Sequence, residues 1–388
     1  MPGEGTAVPK LAGDPSDLID GPGGRFAYRV AHFPLQHRHG AHDLHLPGDW
    51  QAQTLTLLTG DAGLEHLDPR GRSTLDTETT GLSGGAGVFV YMVGLARFVP
   101  DGVEVWQGFL RGPEQEAALL DEVRERIAEA GAVVSFFGKS FDRHRLEDKM
   151  ALHGIASPFE GRPHLDLFHP LRRLYKDLLE NTKLQTMERA LCQVQRADDL
   201  PGRFAPEAWF DYLGGRAHRL HGVFQHNLDD VLSLITLTHE LGRLCVCSPA
   251  AHSPARAWAQ ERALATALMG QGAHAQALDR LRATEAQHGP DGEGTWLAAQ
   301  ILARIGPYDQ AVHDLARLQG AAPIRAVQAL TLASKVAEHR LKDPGQAHDL
   351  AQRALTRMQA LRAFSGRTSI EKELSARIQR LSAILGPQ

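Results

Sequence analysis

The chain has 388 residues, 43% hydrophobic and 23% charged, with a formal net charge of -4. That length allows two or three domains with substantial cores, and that balance excludes overall positive charge as a grip on polyanions, leaving only local basic clusters. Three cysteines, Cys192, Cys245 and Cys247, argue against a disulfide framework, and the last two stand too close for a usual zinc pair.

No apolar run approaches the ~18 residues of a membrane helix, and the N-terminus lacks a positive segment followed by an apolar one. The expectation is a cytoplasmic protein with no membrane partner. Residues 1–24, rich in Gly, Pro and Asp, are expected to be a disordered tail. Residues 25–70, which include the histidine-rich run HFPLQHRHGAHDLH, are expected to pack as an N-terminal segment on the domain that follows.

Strand and helix signals alternate over residues 71–247. STLDTET reads as a strand. GVFVYMVGLARF and VEVWQGFLRG read as a hairpin with Asp101-Gly102 at the reversal. PEQEAALLDEVRERIAEAG has Pro113 at its start, helical spacing of apolar residues and Gly131 at its end. AVVSFFG reads as a buried strand, SFDRHRLEDKMALHG as a helix and PHLDLFHPL as another strand; the rest is mostly helical, ending in NLDDVLSLITLTHELGRL. Three antiparallel strands followed by alternating helices and strands predict an α/β fold, a mixed sheet flanked by helices.

Beyond residue 247 strand signals vanish and Ala, Leu, Gln and Arg dominate. Gln-Ala pairs at Gln276, Gln310 and Gln346 fall 34 and 36 residues apart, close to the ~34-residue period of tetratricopeptide hairpins. Residues 248–388 are therefore expected to form an all-α helical repeat domain, with a generic Ala-rich bundle as the alternative; a concave repeat surface suits a protein partner.

Four acids and one histidine stand out. Asp76 and Glu78 are two apart on a strand, so both point to one face. Asp142 sits where a buried strand gives way to a helix, and His226 and Asp230 lie one turn apart on a helix. Clustered carboxylates raise one another's pKa unless cations neutralise them. The chemistry that uses such a set is two-metal phosphodiester hydrolysis, with one ion activating water and the other stabilising the leaving oxygen. Hard oxygen donors suit two ions of Mg²⁺ or Mn²⁺ rather than zinc.

LDTETTGL, FFGKSFDRHRL and HNLDDVLSL resemble the three motifs of the DEDD 3′–5′ exonucleases of the ribonuclease H-like superfamily. HFPLQHRHG, HLDLFHPLRRLYK, LQTMERALCQVQRADDLPG and FDYLGG resemble the YprB-type branch of predicted exonucleases, the likeness covering roughly residues 25–247. The resemblance implies Asp76, Glu78, Asp142 and Asp230 as metal ligands. His226 stands where the tyrosine-type subfamily has Tyr, three residues intervening before the last Asp. The histidine-type spacing would fall on Gln225. The implied role of His226 is to position or deprotonate the attacking water. Asp229 competes with Asp230 for the last ligand place; Asp230 is preferred because it continues directly into the apolar helix.

Arg143, Arg172, Arg173 and Lys176 are candidates for phosphate contact, against the plainer reading of a solvated helix face. Leu82 resembles the apolar wedge that related exonucleases set against the terminal base, and Phe137, Phe141 or Tyr175 could stack on it. A phosphate-binding loop at GKS is rejected because Val133 stands where glycine is required. The expected function is a metal-dependent 3′–5′ exonuclease acting on single-stranded nucleic acid, DNA or RNA. The alternatives are an inactive nucleic-acid-binding scaffold of the same fold and a structure-specific endonuclease.

Overall fold

The computed structural model describes residues 18–45, 52–68, 70–81, 87–196, 200, 202–243, 253–318, 322–361 and 367–386. The chain divides into two compact units, Met1–Cys247 and Ser248–Gln388. In the first, the strands in chain order are β1 (Ile19–Asp20), β2 (Ala27–Pro34), β3 (Arg38–His39), β4 (His42–Asp43), β5 (Arg72–Thr79), β6 (Val90–Val99), β7 (Gly102–Phe109), β8 (Ala132–Ser135) and β9 (His164–Asp166). Seven of them form one mixed sheet in the order β1-β2-β7-β6-β5-β8-β9, while β3 pairs with β4 alone. β2, β7, β6 and β5 are mutually antiparallel neighbours; β8 runs parallel to β5, and β9 parallel to β8.

β5 is therefore flanked on both sides, and its buried residues run nearly without a break, as do those of β6. Such strands lose their polar alternation because helices cover both faces. The helices are α1 (Ala52–Thr59), α2 (Glu116–Glu129), α3 (Asp142–Leu152), α4 (Phe168–Tyr175), α5 (Leu184–Met187), α6 (Ala205–Leu213) and α7 (Leu220–Arg243). One core gathers Tyr91, Trp106, Phe109, Trp209 and Phe224, with the Tyr91 and Trp209 rings stacked at 5.6 Å. A second, holding Phe33, Val103, Val105, Leu228, Val231 and Ile235, packs the middle of α7 onto the sheet.

The fold departs from the sequence expectation at three places. The Gly/Pro-rich run expected to be disordered includes β1, where Ile19 and Asp20 pair with Tyr28 and Ala27, followed by a 3₁₀ turn at Pro22–Gly24. Residues 1–17 lie outside the described residues. Residues 25–70 do more than pack on the sheet, since β2 is one of its strands. PHLDLFHPL is a strand only over His164–Asp166. The Asp166 carboxylate accepts the Phe168 N–H at 3.1 Å and turns the chain into α4, whose first turn tolerates Pro170.

The second unit contains α8 (Pro254–Gly270), α9 (His274–His288), α10 (Gly292–Ile305), α11 (Tyr308–Ala316), α12 (Pro323–Val336), α13 (Pro344–Gln359) and α14 (Arg367–Leu385), with no strand among the described residues. Ala277, Ala311 and Ala347, the second members of the three Gln-Ala pairs, are fully buried near the starts of α9, α11 and α13. A small side chain there lets neighbouring helices approach closely. No helix among the described residues is long and apolar enough to cross a membrane.

Candidate active site

The second half of β5 carries Asp76 and Glu78, with a register shift between Glu78 and Thr79. Bulges of this kind re-aim side chains near functional sites. Asp142, at the start of α3, and Asp230, in the middle of α7, come close enough that their charges act on Asp76. Burial, then Asp230, Asp142 and Glu78, push the Asp76 carboxyl well above its usual range. Asp230, rather than Asp229, is the partner of Asp76; Asp229 takes a hydrogen bond from Gln225 at 3.1 Å, and burial pushes its pKa up to about 6. Among the described residues, no three His, Cys, Asp or Glu side chains are already gathered as a ligand cage.

Asp142 is set by its neighbours on two sides. Thr77 donates its hydroxyl to Asp142 Oδ1 at 2.5 Å, while burial pushes the Asp142 pKa up to about 6. The loop before α3 is pinned by Asp166, whose carboxylate accepts the N–H groups of Phe137 (2.7 Å) and Lys139 (3.1 Å). Phe137 is held at φ 63° and remains 43% exposed, facing Phe168 edge-on at 4.9 Å. A non-glycine residue in that region costs ~1–3 kcal/mol, and such strain gathers at functional sites. Next to it, a Cβ on Gly138 would stand 3.0 Å from Asp142 Oδ2 and still nearer to Ser135, so only glycine fits. Asp166 is thus a structural anchor of the loop.

Asp230 is gripped by cationic and donor groups. His226 Nε2 lies 3.5 Å from Asp230 Oδ2, one turn away on α7. Arg196 NH2 donates to Asp230 Oδ1 and, at 2.8 Å, to Glu188; Nε also reaches Glu188, at 2.6 Å, and NH1 approaches His226 Nδ1 at 3.4 Å. Glu188, almost wholly buried, also accepts the Ser233 hydroxyl, which meets His39 Nε2 at 2.7 Å.

Asp76 Oδ2 accepts Asn227 Nδ2 at 2.9 Å. Asn227 sits over Gly94, the residue opposite Asp76 in the β5–β6 ladder. A Cβ at Gly94 would lie 2.1 Å from Asn227 Oδ1. Gly94→Ala is therefore expected to expel the Asn227 amide and destabilise the unit by ~1–3 kcal/mol, read as a lower urea midpoint with unchanged slope. Arg196, Glu188, Asn227 and Gly94 were not singled out from sequence. The one local signal was Gly94 itself, since glycine inside an apolar strand marks a close approach.

The candidate grip residues have different settings. Arg172 is exposed on α4, and Lys176 is exposed just beyond its end. Arg173 NH1 binds the Leu58 carbonyl at 2.6 Å and so ties α4 to the end of α1. Arg143 pairs with Glu147 at 3.1 Å. Leu82 lies outside the described residues. Tyr175 is buried, and Phe141 is half-buried beneath Arg145, leaving Phe137 as the exposed aromatic of the three.

An antiparallel run joined to two parallel strands, with acids on β5, on the helix that follows its parallel neighbour β8 and on the long covering helix α7, defines a ribonuclease H-like domain. Residues 74–242 match the family model RNase_H_2, of the RNase_H superfamily. The chain is also similar to a Bacillus subtilis (strain 168) protein named "Uncharacterized protein YprB", 33% identical over 245 residues. That match covers 60% of this chain and 57% of the length of the relative.

Proposed function

We propose that this protein is a metal-dependent nuclease that releases mononucleotides from the 3′ end of single-stranded nucleic acid. The observation that carries the reading is Asp76 lying under the charges of Glu78, Asp142 and Asp230, carboxylates from three parts of the chain that are not drawn into a cage. Burying such a group is strongly unfavourable unless positive charge enters, and all the donors are hard oxygens, so the set fits Mg²⁺ or Mn²⁺. Asp76, Glu78, Asp142 and Asp230 would hold the ions, which when bound supply charge neutralisation and Lewis acidity at the water and the leaving oxygen.

The chain's own residues set the remaining terms. Thr77 donates to Asp142 Oδ1 and Asn227 to Asp76 Oδ2, each taking up one oxygen of its carboxylate. Arg196 is a donor only, so its contact with His226 uses the ring lone pair at Nδ1 and leaves Nε2 towards Asp230. In this state His226 orients Asp230. To take a proton from water at Nδ1 it must release Arg196. Exposed Arg172 and Lys176 suit phosphates, and Phe137 suits a stacked base. The helices of 248–388, with their buried alanines at 34- and 36-residue spacing, support a tetratricopeptide-like domain that recruits a protein partner. Residues 71–247 would then be the nuclease domain, acting in the cytoplasm.

A panel of 3′- and 5′-labelled DNA and RNA strands, with Mg²⁺ or Mn²⁺, tests the reading. The expected result is stepwise shortening from the 3′ end that Asp76→Ala abolishes. Cleavage of end-blocked strands would instead identify an endonuclease. Binding without cleavage under every metal would identify a scaffold.

A further inference from the structure

The hydrogen bond to Asp76 is the last link of a buried chain that begins at a cation on another strand. Arg29, on β2, donates to Gln107 Oε1 through Nε (3.1 Å) and NH2 (2.7 Å). Gln107, on β7, donates Nε2 to Asn227 Oδ1 at 2.8 Å and to the Phe224 carbonyl at 2.9 Å. Asn227 donates Nδ2 to Asp76 Oδ2 at 2.9 Å. Arg29, Gln107 and Asn227 are all buried, and Arg29 lies over the Phe224 ring at 4.5 Å.

Only one polarity satisfies this chain. A guanidinium has donors and no acceptor, so Gln107 must turn its oxygen to Arg29. Its NH₂ group is then left for Asn227, which must answer with its own oxygen. The Asn227 NH₂ group has one direction left, towards Asp76. Arg29, which can only donate, and the Phe224 carbonyl, which can only accept, therefore fix together, through two amides, that Asp76 meets a donor.

We propose that Arg29, acting through Gln107 and Asn227, is a positioning residue for Asp76: the relay holds Oδ2 against the sheet and presents Oδ1 to the acid cluster. This rests on the reading of Asp76 as a metal ligand. Partners standing behind a ligand commonly alter metal affinity by ~10–100-fold. Gln107→Glu inverts the relay without removing the pairing of Arg29. A carboxylate at 107 accepts from both sides, so Asn227 must turn its NH₂ group to it and its oxygen to Asp76.

The test is Mn²⁺ affinity, followed by electron paramagnetic resonance on folded full-length protein, beside kcat and KM on a labelled strand. Gln107→Glu is expected to weaken Mn²⁺ binding ~10–100-fold and to lower kcat with little change in KM. Arg29→Met is expected to follow it, and Arg29→Lys, which keeps a donor, to restore most of the affinity. A relay of merely structural weight would lower thermal stability and leave Mn²⁺ affinity unmoved. Wild-type affinity in folded Gln107→Glu and Arg29→Met overturns the relay alone. No Mn²⁺ binding by the wild type overturns the metal-dependent reading and the relay together.

Discussion

Asp142→Asn is expected to make the metal-free protein more stable and to make it inactive. Asp142 is buried beside other carboxylates, and its pKa is pushed up to about 6 from an ordinary 3.8, with burial the largest cause. A folded value above the unfolded one means that the folded state holds its proton more tightly. Its favourable contribution is thus complete below about pH 4 and is lost as pH rises through about 6. Near pH 7.5 the ionised group weighs against folding by roughly 2–3 kcal/mol, at 1.36 kcal/mol per unit. The neutral amide escapes that penalty and can still accept the Thr77 hydroxyl.

Urea unfolding in the presence of chelator should therefore show Asp142→Asn ahead of wild type at pH 7.5 and level with it near pH 4. The comparison is between variants because buried histidines act with the opposite sign. His39 and His164, whose pKa values burial lowers to about 3, weaken the fold as pH falls below their usual 6.5. Mutating groups behind a metal ligand commonly loses ~10–100-fold, so under the proposed role of Asp142 as a ligand Asp142→Asn should lose at least roughly 100-fold in hydrolysis. Equal stability of the two proteins at pH 7.5 would mean that Asp142 is not under electrostatic pressure, and with it would go the case for a cation.

Much of the acid cluster was legible because local rules carry it. Two acids with one residue between them on a strand share a face, and His226 and Asp230 four apart share a turn; the structure places both pairs so. The hairpin and α2 followed from turn residues, Pro113 and apolar spacing, and α3 from its sequence pattern, although neither helix carries a side-chain N-cap bond. Other features depend on contacts that leave no local trace. Gln107 and Asn227 meet across 120 positions, Arg29 and Gln107 across 78, and a single Gln in an apolar strand announces neither. Phe168–Tyr175 misled for a related reason, since an Asp side chain, not the apolar pattern, decides where β9 stops. Arg196 sits in a polar stretch whose composition reads as loop, and its grip reaches two acids on other elements.

Arg196→Met is expected to be the most damaging single change outside the acid set itself. The Arg196 side chain is 6% exposed and that of Glu188 2%, so the pair lies out of water. Removing one member of a buried pair commonly costs ~3–5 kcal/mol, because the other charge stays behind with no counter-ion. Here two carboxylates are left, Glu188 and Asp230, and burial already pushes the Glu188 pKa upwards even with Arg196 against it. The loss should accordingly shrink as the pH falls and Glu188, its pKa raised by burial, takes up a proton. Replacing both partners with apolar groups of similar volume is often close to neutral, so Glu188→Leu/Arg196→Met should recover most of the loss that Arg196→Met alone suffers. If the double variant unfolded as readily as the single one, Glu188 would not be the stranded charge, and the stability of this corner would have to come from the grip of Arg196 on Asp230 and His226 instead.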